Sequence, residues 1–150
     1  MSADRHESVL TSVEIEVFNA MVGVGKFDHV DERITAELFW PRMRTTPARK
    51  PAPAQFLKLS HRPSLYDAGE ELRRRGLRPG TFQELLAFGT VFKKYQRKCV
   101  VIALGSVVEI DGKRHVAALD GNVLWRGLIL CPCNVCLGPD CRLLFSHPGS

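Results

Sequence analysis

Four cysteines fall within eleven residues, Cys131, Cys133, Cys136 and Cys141, in the pattern C-x-C-x-x-C-x4-C. Four thiolates are enough to hold Zn2+ tetrahedrally, and Cys133-x-x-Cys136 has the gap of a zinc knuckle. Structural zinc more often joins two separated pairs across a hairpin, whereas here one loop would supply every ligand. Cys131-Pro132-Cys133 would also set alternate residues on one strand face. A redox pair would want a thiol of lowered pKa at a helix N-terminus, and no helix is expected after Cys136. Three readings stay open: loop thiols without metal, which the spacing favours, a zinc site, and a redox pair. No cofactor is expected, with zinc as the alternative.

Other chemistry is harder to assemble. The histidines are His6, His29, His61, His115 and His147. None sits in a nucleophile elbow or an H-E-x-x-H helix. His115 alternates with Val116 on a hairpin strand and is expected to face solvent. Ser106 follows Gly105 and reads as a turn serine. The chain has neither a P-loop nor a dinucleotide fingerprint, and nothing in it argues for an enzyme.

A binding surface is the stronger reading. Between Leu124 and Leu130, positions Leu124, Arg126, Leu128 and Leu130 share one parity, and Trp125, Gly127, Ile129 and Cys131 share the other. Strand geometry sends the two sets to opposite faces. Leu128 and Leu130 suit a core, with Arg126 running along an edge. Trp125, Gly127, Ile129, Cys131, Cys133, Asn134, Val135, Cys136, Pro139 and Asp140 would then make one outer patch, apolar enough to suggest a contact site. The opposing possibility is that the N-terminal segment covers this face.

The elements that must hold this patch can be read along the chain. Ser12–Val24 reads as a strand entering a short helix, because Val13, Ile15 and Val17 alternate with acidic residues. Residues 34–39 (ITAELF) fit either strand or helix, and Pro41 should stop them. Residues 41–54 carry four prolines among basic residues and read as a surface loop. Residues 55–61 read as a short strand. Ser64 is a helix N-cap, and Leu65, Ala68 and Leu72 form that helix's buried stripe. Arg73, Arg74 and Arg75 suit the last turn, and Gly76 the C′ position. Thr81-x-x-Glu84 is a capping box opening a second helix whose apolar face is Phe82, Leu85, Leu86 and Phe88. Lys93, Lys94, Arg97 and Lys98 make its end a basic, solvated surface.

Residues 99–104 (CVVIAL) read as a central strand buried on both faces, with Cys99 a small buried residue. Gly105-Ser106 should bend the chain. Asp111-Gly112 is a hairpin turn between residues 107–110 and 113–118, and residues 124–130 and 142–145 complete the sheet. The expectation is an α+β fold: two helices packed on a small, mostly antiparallel sheet, with the N-terminal pieces adding strands or covering an edge.

The 150 residues, 45% hydrophobic and 25% charged, fit one domain, here 1–150. The net charge of +5 comes largely from residues 42–50 and 73–78. No aromatic-basic stripe accompanies it, so no nucleic-acid partner is expected. No apolar run would span a membrane and no signal peptide is visible, so membrane insertion is not expected and the cytoplasm is the expected compartment. There the cysteines would remain thiols or bind metal.

Taken in order, residues 25–39 (GKFDHVDERITAELF), 73–89 (RRRGLRPGTFQELLAFG), 101–106 (VIALGS), the hairpin Gly112–Val116 and the closing 141–145 (CRLLF) resemble the variable proteins of diversity-generating retroelements, particularly those of candidate-phylum bacteria and tiny archaea. The resemblance covers roughly residues 25–145. It implies a C-type-lectin-like fold, a non-catalytic ligand-binding role with a protein as the expected ligand, and a diversified segment within 125–141. The outward residues named above would be the variable ones, and 141–145 the fixed closing strand. The cysteines at 131–136, the ending SHPGS and the proline-rich stretch depart from the family's pattern.

Overall fold

The computed structural model describes residues 9–45, 55–57, 64–135 and 141–146. Its elements, in chain order, are helix α1 (Ser12–Val24), β1 (His29–Val30), α2 (Ala36–Thr45), β2 (Gln55–Leu57), α3 (Leu65–Arg74), β3 (Arg78–Pro79), α4 (Phe82–Val91), a 3-10 turn (Tyr95–Arg97), β4 (Val100–Ile110), β5 (Lys113–Gly121), β6 (Arg126–Pro132) and β7 (Cys141–Ser146). The seven strands form one sheet ordered β1-β6-β5-β4-β7-β2, with β3 also paired to β7. The hairpins β4–β5 and β5–β6 are antiparallel, whereas β1–β6 and β4–β7 run parallel. The architecture is α+β, but the sheet is larger and more mixed than expected, and four helices accompany it rather than two.

The helices divide between the sheet's two faces. On one face lie α1, α2 and α4, burying Phe18, Phe39, Phe82 and Leu85 against Val101, Ala103, Ala117, Leu119, Leu128 and Leu130. Phe82 stacks on Phe39 with ring centroids 4.2 Å apart and faces Phe18 at 5.9 Å. On the other face, among the described residues, α3 sets Leu65, Ala68 and Leu72 over Ile102, Leu104, Val116, Ala118 and Leu143.

Local grammar explains several boundaries. Thr81 and Glu84 form the expected capping box, and the backbone N–H of Phe82 donates to Ser106 Oγ at 2.8 Å. Ser106 is therefore a buried second cap on α4 rather than a free turn residue. Next to it, Gly105 N donates to Gly80 O at 2.7 Å; a Cβ on Gly105 would lie 2.6 Å from that same oxygen. The expected bend is a register irregularity within β4, between Ala103 and Val108, and the strand continues through it. Ser64 caps α3 and Gly76 follows it at φ +72°. Asp111 and Gly112 both take positive φ, as a type I′ hairpin turn requires.

Other expectations are corrected. Residues 12–24 are helical throughout. Their N-terminus is a capping box, Thr11 with Glu14, and Val13 and Val17 lie exposed on the outer side. Helix α2 runs through Pro41 to Thr45, so residues 41–45 are not loop, while 46–54 lie outside the described residues. A proline inside a helix costs about 3 kcal/mol, and burial of Phe39 and Met43 on either side, about 1.5–3 kcal/mol each, offsets it. His115 is buried, because its parity on β5 faces the three-helix layer, and its Nδ1 lies 2.9 Å from Lys113 O. Leu124 precedes β6 and is exposed.

Candidate functional site

Strand β6 lies between β1 and β5, with Gly127 opposite His29 on one side and Asp120 on the other. Its alternation is as expected, with Arg126, Leu128 and Leu130 turned towards the three-helix layer. The opposite set is not a free face. Ile129 and Cys131 are half-buried and pack with the cluster under α3. Trp125 is half-buried over Gly127, and Gly127 is itself buried; a Cβ there would lie 2.5 Å from Asp120 Oδ1 and 2.6 Å from the Trp125 ring. Cys133 is only 5% exposed. Exposure was expected at Gly127 and Cys133, and close packing denies it to both. Asn134 and Val135 are exposed. Cys136, Pro139 and Asp140 lie outside the described residues.

The thiols sit in surroundings that favour the protonated form. Burial, with the Asp120 carboxylate adding to it, pushes the Cys131 thiol up to about 11, and burial also raises Cys133. A redox thiol needs the opposite shift. Cys99, Cys131, Cys133 and Cys141 are free thiols. Among the described residues, no three His, Cys, Asp or Glu side chains gather as a metal site would need. Cys136 falls outside that set, so the zinc alternative of Cys131, Cys133, Cys136 and Cys141 is not decided by it.

Where the α3 face is incompletely covered, a cleft of about 190 Å³ opens between α3 and strands β4 and β5. Its floor is apolar, with Leu104, Val107, Val116 and Cys133, and its rim carries Tyr66, Asp67, Glu70, Arg73 and Arg114. Three backbone contacts fix the strand end beside it. Cys133 N donates to Arg114 O at 2.9 Å, Val135 N to Pro132 O at 3.2 Å, and Leu65 N to Val135 O at 3.1 Å. The last of these places a carbonyl on the N-terminus of α3, where an orphan N–H needs an acceptor. Asn134 and Val135 are thereby held at the α3 end of the cleft. At the rim Arg73 pairs with Glu70 at 2.7 Å, while Tyr66 is 47% exposed.

Tyr66 and Arg114 were not singled out from the sequence. The signal for Tyr66 was present, since the buried spacing Leu65, Ala68, Leu72 turns it outward. Arg114 carried no comparable signal, because its place depends on how far α3 reaches across the hairpin. Arg126 is not an edge residue but a buried clip. Its Nη1 donates to Gly25 O at 2.7 Å and its Nη2 to Gly89 O, at the C-terminal ends of α1 and α4, and its guanidinium lies 4.8 Å from the centre of the Phe27 ring. Cations are favourable at such helix ends, which explains a buried arginine without a carboxylate on its guanidinium. Asp28 Oδ2 accepts instead from Arg126 N at 2.8 Å.

Compared with known proteins, the chain matches no family model, no curated protein and no solved structure.

Proposed function

We propose that this chain is a non-catalytic binding domain whose cleft between α3 and the sheet takes one protruding apolar side chain of a protein partner. The observation that carries the reading is the cleft's size and make-up. At about 190 Å³ it falls below the roughly 300–1,000 Å³ of small-molecule sites, yet it combines an apolar floor with a tyrosine and charged groups of both signs. A single anchoring side chain ringed by polar contacts is the usual energetic centre of a protein interface. Asn134 and Val135 extend the contact beyond the rim. A displayed peptide library panned on the chain should enrich sequences sharing one apolar anchor. Binding of those peptides should fall at least tenfold in Tyr66→Ser and Val135→Ser, while thermal unfolding stays in place. Unchanged affinity in both variants refutes the assignment.

The C-type-lectin-like fold and retroelement diversification belong to the same proposal in a narrower form. Free variation suits Asn134 and Val135, whose side chains reach solvent; it does not suit Gly127, whose surroundings are filled, or Cys133, which is buried in the cluster under α3 at the floor of the cleft. Sibling gene copies should therefore differ at adenine-derived codons from 134 onward while keeping 127 and 133 constant. Variation spread evenly over 125–133 would exclude this scheme.

A further inference from the structure

The turn between β5 and β6 projects the two most exposed large apolar side chains among the described residues, Val123 at 80% and Leu124 at 85%. Their position is held by backbone contacts. Asn122 Oδ1 accepts from Leu124 N at 2.8 Å and Trp125 N at 3.3 Å, and Asn122 N donates to Trp125 O at 3.0 Å. Beside this tip runs the segment 93–98, with Lys93, Lys94, Arg97 and Lys98 all exposed. The segment is anchored at its centre by the buried Gln96, whose Nε2 donates to Asp120 O at 2.8 Å and Gly127 O at 2.9 Å. Arg97 Nη1 donates to Val123 O at 3.3 Å, which ties this cation to the tip and holds the segment that carries the other three alongside it. No acidic residue occurs between Glu84 and Glu109, and none of the four cations joins an ion pair among the described residues.

Single apolar groups at a surface need no explanation. A braced convex pair with four unneutralised cations beside it does. We propose that this tip docks on an anionic lipid bilayer, with Val123 and Leu124 entering the headgroup layer while Lys93, Lys94, Arg97 and Lys98 meet anionic headgroups. A protein receiving a convex wedge would need a recess of matching shape. A lipid interface accepts one without it, and supplies negative charge to every cation at once. No described helix is long and apolar enough to cross a membrane; the attachment proposed is to the surface and leaves the sheet outside.

Sedimentation of the whole chain with vesicles of phosphatidylcholine, with and without phosphatidylserine, tests this. Binding should require phosphatidylserine and weaken as salt is raised. Each cation near such a surface contributes about fivefold, so Lys93→Gln/Lys94→Gln/Lys98→Gln should weaken binding about a hundredfold. Leu124→Ser should cost about tenfold through lost burial. Both variants should melt with the parent protein, since the altered side chains are exposed. Equal sedimentation with both vesicle types would overturn the proposal. So would binding indifferent to Leu124→Ser and matched by binding to soluble polyglutamate, which would indicate an acidic polypeptide partner instead.

Discussion

The two faces of the sheet are covered in different ways. Three helices seal one face, with stacked phenylalanines and a buried arginine that joins two helix ends to β6. Among the described residues one helix covers the other, over smaller residues and three thiols, and leaves a cleft. The same strands serve both, so strand composition alone does not separate stability from recognition. Among the described residues the separation comes from how much helix each face receives: the thickly covered face anchors the fold, and the thinly covered one is where a partner is proposed to sit.

The sharpest way to test that contrast is to open the sealed face. Phe82→Ala removes the ring between Phe18 and Phe39 and should cost about 3–5 kcal/mol in denaturant unfolding. Arg126→Met should cost about 2–4 kcal/mol, because the carbonyls of Gly25 and Gly89 lose their charged donor within a closed core.

On the thin face the pressure point is alkaline pH. Below about pH 8 the Cys131 thiol is neutral in folded and unfolded chains alike, and its contribution is complete. As pH rises towards 11 the unfolded chain ionises first, so up to about 2–3 kcal/mol of stability is lost. Cys131→Val should lack that part of the decline, read as the difference between the two proteins' unfolding curves across this window. At the junction of the faces, Ser106→Ala should cost about 1–2 kcal/mol, since Phe82 N loses its acceptor in a buried setting. A Ser106→Ala cost near zero would show that the Thr81 box alone starts α4.

What the sequence showed in advance was whatever short-range chemistry decides. Ser64, Gly76, the Thr81 and Glu84 box, and the Asp111-Gly112 turn each act within a few residues and were readable. So was the alternation of β6, because parity is a property of the strand itself. Helix α1 was obscured because apolar side chains lie on both its sides, which blurs a helical period into an apparent alternation at Val13, Ile15 and Val17. Pro41 misled because burial of Phe39 and Met43 outweighs one missing backbone bond.

The parallel pairings and the seat of α3 were not readable, being set by contacts between segments far apart in sequence. The candidate site depended on that seat. Once α3 lies over Ile129 and Cys131, an outward parity no longer means exposure, and only Asn134 and Val135 among the described display positions remain open.

The place of β7 has a consequence for biosynthesis. It pairs with β4 on one side and with β2 and β3 on the other, so the latest in sequence of the described strands occupies an interior position. Until the ribosome has passed Ser146, the nascent chain carries β4 with an unpaired margin and leaves β2 and β3 without their neighbour. That margin is apolar on both faces through Val101, Ile102 and Ala103, the kind of edge on which unfinished chains stick to one another. Translation that stalls before residue 141 should therefore yield a product that aggregates, and the finished sheet assembles only after synthesis of its last strand.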